Sequence, residues 1–214
     1  MKYNTIIFDL DGTLLNTLED LAASVNYAMR ECGFAERTTD EVRRFVGNGV
    51  HVLIRRAAPK DITEEQYWDA YNHFEKHYAV HNRDKTAPYD GIIELLTELK
   101  KRGYSLSIVS NKIDFAVKAL REEFFSGLID VAVGDCEDTA NKPAPDMVHK
   151  AMRQLGAEPE GCIYVGDTDV DIETAQNSEM PCISVSWGFR SREELVGYGA
   201  EMIADRPSDI LNFV

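Results

Sequence analysis

The sequence predicts an α/β fold, a mostly parallel sheet covered by helices on both faces, with a helical domain inserted after the first strand. Three observations carry this. From about residue 90 onward, short β-rich runs alternate with helical patterns: YSLSIVS (104–110), LIDVAVG (128–134), CIYVGD (162–167), CISVSW (182–187) and EMIAD (201–205). Between them, GIIELLTELKKRG (91–103) and DMVHKAMRQLG (146–156) carry apolar residues at helical spacing and end on Gly103 and Gly156, as crossover helices do. Residues 17–82 hold no run that reads as a strand.

The first strand is the apolar run Ile6-Ile7-Phe8, which leads into FDLDGT. Three helix starts follow, each Thr-x-x followed by an acid or amide that can close a capping box: Thr17 to Asp20, Thr38 to Glu41 and Thr63 to Gln66. The insertion therefore separates a Rossmann-like α/β core into residues 1–15 and 86–214, with the helical domain at 16–85. Asn16 and the stretch 84–88 read as hinges.

With 37 acidic against 23 basic residues, the chain of 214 carries a formal charge of −14. This disfavours binding to nucleic acid or an anionic membrane and favours a small substrate or a cation. The cysteines, Cys32, Cys136, Cys162 and Cys182, form no C-x-x-C pair and read as reduced core thiols. No apolar run approaches the roughly 20 residues of a membrane span, and the N-terminus enters a strand directly, so a cytoplasmic protein is expected, as a monomer or dimer.

Asp9 and Asp11 lie two apart where the first strand meets a turn, so both side chains point to one side of the sheet end. Two like charges there are costly without compensation. Ligands of open α/β sheets bind beyond the carboxyl ends of the strands, and the other strand ends supply suitable groups. Ser110 and Asn111 offer a hydroxyl and backbone amides, Lys142 a cation between Asn141 and Pro143, and Asp167 and Asp171 further carboxylates. Such a set suits Mg²⁺-assisted phosphoryl transfer, the dication answering the cost of gathering carboxylates. Asp169 reads equally as an acid at a helix N-terminus.

These four motifs, in order and over the whole chain, resemble those of the haloacid dehalogenase-like hydrolases: Asp9-Leu10-Asp11-Gly12-Thr13, Ser110, Lys142, and Gly166-Asp167 to Asp171. The resemblance implies that Asp9 is the nucleophile forming an aspartyl-phosphate, and that Asp11 protonates the leaving oxygen and then activates water. Ser110 and Lys142, with Thr13 and Asn111, would hold the phosphoryl group. Mg²⁺ would be bound by Asp9, Asp167 and the backbone oxygen of Asp11, with Asp171 supporting it from behind.

The insertion resembles the family's helical cap. Within it, Arg44-Phe45-Val46-Gly47-Asn48-Gly49-Val50 is similar to the specificity loop of phosphoglycolate phosphatases, as is Trp187-Gly188-Phe189 in the core, and this makes Asn48 a candidate substrate contact. The expected function is hydrolysis of a small phosphorylated metabolite, with 2-phosphoglycolate first; pyrophosphate, nucleotides, sugar phosphates and phosphomutase chemistry are the alternatives. The stretch LEDLAASVNYAM holds neither the His of related mutases nor the Lys of phosphonate hydrolases. Asp11 and Asp167 argue against a dehalogenase. A phospho-accepting signalling domain would be about half as long and lack the insertion. Asn16-Thr17 departs from the Asp-Ser or Asp-Thr often found there, which removes a charged hinge contact. His73, His77 and His81, four apart, read as packing or surface residues of a helix.

Overall fold

A computed structural model describes residues 2–214. In chain order, β1 (Thr5–Phe8) and β2 (Leu15–Asn16) precede four helices, α1 (Leu18–Glu31), α2 (Thr39–Phe45), α3 (Gly49–Ala57) and α4 (Glu64–His81). After β3 (Ala87–Pro88) come α5 (Ile92–Lys101), β4 (Ser105–Ile113), α6 (Asp114–Phe125), β5 (Val131–Asp135), α7 (Asp146–Leu155), β6 (Cys162–Gly166) and α8 (Asp169–Asn177). The chain ends with β7 (Cys182–Val185), α9 (Arg192–Gly197) and β8 (Met202–Ala204), each followed by a short loop or a 3-10 turn. Two compact units result: the segment ending at Leu15 joined to Pro88–Val214, and Asn16–Ala87. β2 and β3 pair as a two-stranded ribbon where the chain crosses between them.

The α/β unit is built on a six-stranded parallel sheet of order β5-β4-β1-β6-β7-β8. Strands buried on both faces read as continuous apolar runs, which is why TIIF of β1 is wholly buried. Alternation then sorts the side chains. Ile6, Phe8, Leu106, Ile108, Ile163 and Val165 pack with Leu96 and Leu99 of α5 and Val117 and Leu120 of α6. Ile7, Val109, Val133 and Tyr164 pack on the opposite face with Val148 and Met152 of α7 and Ala175 of α8. β1 lies between β4 and β6, pairing Phe8 with Ile108 and with Val165. The carboxyl ends of these three strands therefore meet at one edge, with the chain leaving β1 for one side of the sheet and returning later to the other.

The helical unit has its own core, in which Val25 and Met29 of α1 meet Ile54 of α3 and Tyr67 and Phe74 of α4. Thr38 and Thr63 close capping boxes with Glu41 and Gln66. Thr17 does not cap α1, and its buried hydroxyl makes no hydrogen bond. Thr17 has ψ 1°, where the capping Thr38 and Thr63 are extended, and the Asp20 side chain that would reciprocate is taken by another segment: its carboxylate accepts from the Lys85 N–H at 3.1 Å, the Thr86 N–H at 2.9 Å and the Thr86 hydroxyl at 2.8 Å. A fourth helix, α3, starts after Asn48 with no side-chain cap, so the Ser/Thr signal that marks the other starts is missing there.

Two further differences from the sequence reading concern β4 and the cysteines. β4 continues to Ile113, its register against β5 shifting between Val109 and Ile113, where Ser110, Asn111 and Lys112 are all buried. All four cysteines are free thiols, but only Cys162 is fully buried.

Asp20→Ala leaves the Thr86 donors without their acceptor in a buried setting and is expected to destabilise the helical unit by about 3 kcal/mol in urea unfolding. A loss under about 1 kcal/mol would show that this carboxylate is not what ties Lys85–Thr86 to α1.

Candidate active site

The turn after β1 is tight because the Leu14 and Leu15 N–H groups both donate to the Leu10 carbonyl, while the Gly12 N–H donates to Leu15. Gly12 adopts φ +97°, and a Cβ there would overlap the Asp167 carboxylate. Only glycine lets this turn lie against the end of β6. The same holds at Gly188, where a Cβ would meet both Asp167 and the Gly12 carbonyl. Trp187-Gly188-Phe189 thus lies across the turn, the Trp187 indole N–H donating to the Thr13 carbonyl at 3.0 Å and the Phe189 N–H to Asp167 Oδ2 at 2.7 Å.

Lys142 is the centre of the cluster. Its buried Nζ donates to Asp9 Oδ1 at 2.6 Å, Asp171 Oδ1 at 2.8 Å and the Tyr164 hydroxyl at 3.1 Å. Its backbone is clamped by Asn111, whose Oδ1 accepts from the Lys142 N–H at 2.7 Å and whose Nδ2 donates to the Lys142 carbonyl at 3.0 Å. Burial alone would lower the ammonium's pKa; the carboxylates of Asp171 and Asp9 outweigh it and hold the group well above the ordinary lysine value.

The carboxylates divide by how fully the protein satisfies them. Asp171 Oδ2 accepts from the Thr168 hydroxyl at 2.7 Å and from the N–H groups of Thr168 and Asp167, while its Oδ1 takes Lys142. Its oxygens are largely committed. Asp167 accepts from the Thr13 hydroxyl at 3.0 Å and from Phe189, and Asp9 accepts from Lys142, which leaves both with lone pairs to give. One oxygen from each of Asp9, Asp167 and Asp171 fits within 4.8 Å of the others, so the group could hold a metal ion. Burial pushes Asp9 up to about 7, Lys142 opposing and Asp171 reinforcing the shift. Burial, then Asp171 and Asp9, drives Asp167 well above the carboxylate range. Such hard, desolvated oxygen donors match a small dication that keeps several waters, whose charge would hold these acids ionised.

The structure brings Asp9, Asp11, Thr13, Ser110, Asn111, Lys142, Asp167 and Asp171 together at the carboxyl edge of the sheet. The Thr13 hydroxyl donates to Asp167, and the Asn111 side chain clamps the Lys142 backbone, so both side chains also hold other residues of the site in place. Asn48 lies in the helical unit, just before α3. His77 and His81 also lie there, His77 against Ser24 and Tyr27 and His81 against Asp84. Sequence reasoning missed Tyr164, whose alternation within an apolar strand gave no sign of its contact with Lys142, and Lys112, which donates to both oxygens of Asp11.

Residues 6–185 match the family model described as haloacid dehalogenase-like hydrolase. The chain is 33% identical to a phosphoglycolate phosphatase of Aquifex aeolicus, covering 98% of this chain and 95% of that protein. It is 32% identical to pyrophosphatase PpaX of Bacillus cereus, covering 99% and 96%. A solved structure from Lactobacillus delbrueckii subsp. bulgaricus, provisionally classed as a phosphoglycolate phosphatase, superposes with a TM-score of 0.95 at 37% identity, over 98% of this chain and 97% of that one.

Because the Asp9 pKa is raised from 3.8 to about 7, the folded metal-free protein holds this proton more tightly than the unfolded chain and loses stability as pH rises between those values. Asp9→Asn removes the effect. In EDTA, the stability of Asp9→Asn relative to the parent is expected to improve by about 4 kcal/mol between pH 4 and pH 8; a difference that does not change with pH contradicts this.

Proposed function

We propose that this chain, which belongs to the haloacid dehalogenase-like hydrolase family and is a phosphatase of that family, hydrolyses small phosphate monoesters with Mg²⁺ through a phosphoryl group carried on Asp9. One observation carries the reading: the buried carboxylates of Asp9, Asp167 and Asp171 gather within 4.8 Å of one another, and the buried Lys142 ammonium reaches Asp9 at 2.6 Å and Asp171 at 2.8 Å. That arrangement calls for a further cation, and with it can hold a tetrahedral dianion.

Asp9, Asp167 and the Asp11 carbonyl would hold Mg²⁺, with Asp171 behind, and the ion supplies positive charge against carboxylate and phosphoryl oxygens. In the first half-reaction an Asp9 oxygen attacks phosphorus, the phosphorus–oxygen bond to the alcohol breaks, and Asp11 gives its proton to the departing oxygen. In the second, Asp11 takes a proton from water as the water oxygen attacks phosphorus. The bond to Asp9 then breaks and inorganic phosphate leaves, with both carboxyl groups restored. Lys142 and Ser110 are assigned to the phosphoryl oxygens, Lys142 by exchanging one of its three present acceptors for the substrate. Phosphate monoesters are among the slowest uncatalysed hydrolyses, needing accelerations up to ~10²¹, which is why several fixed charges act together.

The favoured substrate is 2-phosphoglycolate, supported by the relative of that name from Aquifex aeolicus; the similar identity to pyrophosphatase PpaX makes pyrophosphate the second reading. Asn48 and its glycine-flanked loop are assigned to substrate specificity on their similarity to the specificity loop of phosphoglycolate phosphatases, and the helical unit is assigned as the family's cap. The net charge of −14 disfavours nucleic acid and anionic membrane as partners and leaves a small metabolite with its cation, and we place this reading in a cytoplasmic monomer or dimer. No helix among the described residues is long and apolar enough to cross a membrane.

Purified protein with Mg²⁺, assayed against phosphoglycolate, pyrophosphate, nucleoside monophosphates and sugar phosphates, is expected to show kcat/KM for phosphoglycolate at least about tenfold above the rest. Pyrophosphate leading the panel would replace the substrate while keeping the chemistry. Asp9→Asn is expected to lower kcat by about 10³-fold or more on every ester, and EDTA to abolish turnover reversibly. Unchanged turnover in Asp9→Asn would sink the proposed mechanism.

A further inference from the structure

Lys112 has no place in the reaction set out above, yet it is buried and its Nζ lies 3.0 and 3.1 Å from the two oxygens of Asp11. Both side chains are nearly enclosed, at 5% and 15% exposure. A charge this far from water requires a partner, and the fold provides one 101 residues away by burying Ser110-Asn111-Lys112 at the end of β4. Each of the two carboxylates assigned to the reaction therefore has an ammonium partner of its own. Lys142 contacts Asp9, the attacking group, and Lys112 contacts Asp11, the group assigned to the leaving oxygen.

We propose that Lys112 is the positioning residue for Asp11. This rests on the reading of Asp11 as proton donor. Contact at both oxygens fixes the rotamer and the plane of the carboxyl group, where a single contact would leave it free to turn. A proton donor must stand within about 2.6–3.2 Å of the oxygen it serves, and a displacement near 1 Å can cost about a hundredfold in rate. In this role Lys112 acts through Asp11.

The test separates donor positioning from phosphate binding and from general stability by varying the leaving group. An alkyl phosphate releases a strongly basic alkoxide and depends on the donor; p-nitrophenyl phosphate releases a stable phenolate and does not. Because kcat/KM reports only the steps through release of the alcohol, breakdown of the phosphorylated enzyme does not enter. Parent, Asp11→Asn, Lys112→Met and Lys112→Arg are compared on the best alkyl phosphate of the panel and on p-nitrophenyl phosphate. Lys112→Met is expected to lose about thirtyfold or more on the alkyl ester and less than about threefold on the aryl ester. Lys112→Arg, which keeps the charge and more than one donor, is expected to recover most of the difference.

Asp11→Asn is the reference. If it shows the selective loss and Lys112→Met loses equally on both esters, or on neither, the positioning role is overturned while the reading of Asp11 stands. If Asp11→Asn itself shows no selectivity, the reading of Asp11 fails and the role of Lys112 falls with it. Should Lys112→Met not fold, Lys112→Gln, polar and of similar length, carries the same comparison with the same outcomes.

Discussion

The contact on which the site depends is the Lys142 ammonium held between Asp9, Asp171 and Tyr164. Taken singly, each of these buried polar groups would be destabilising. Together they are consistent, because the positive charge lies among acids, the acids are steered by hydroxyl and backbone donors, and the Lys142 backbone is itself clamped by Asn111. Removing the ammonium would leave two buried carboxylates with no counter-charge beside them.

That cluster exists only because of the sheet order. β1 sits between β4 and β6, so a turn from the first strand, the end of the second core strand and the end of a strand more than 150 residues later share one edge. Parallel pairing brings all three in with their carboxyl ends aligned. The glycines at 12 and 188 then let backbone approach the Asp167 carboxylate closely enough for Thr13 and Phe189 to fix it. Rigidity here comes from packing below the edge, where Phe8, Ile108 and Val165 fill one face of the sheet and Ile7, Val109 and Tyr164 the other.

The parallel sheet and the residues that line its edge were legible in the sequence because their signals are local: apolar runs, crossover helices ending on glycine, and acids or a lysine at strand ends. What was not legible depends on long-range partners. Nothing near Thr13 says that its hydroxyl turns to Asp167, 154 residues on, and nothing near Asn111 says that its amide clamps Lys142. Tyr164 and Lys112 escaped for the same reason: one looks like core, the other like the first charge after a strand. Thr17 shows the converse, since its capping motif is present but its backbone is not extended and Asp20 is taken by Lys85–Thr86. α3 lacks the Ser/Thr signal that announces its neighbours.

In the proposed mechanism Asp9 is the nucleophile and the other carboxylates support it. Rapid acid quench of the enzyme during turnover, followed by peptide mass spectrometry, tests it most directly. One transient phosphoryl group is expected on the peptide containing Asp9, absent from Asp9→Asn. Phosphate release from a chain that remains unmodified at every time point, or is modified elsewhere, would contradict it.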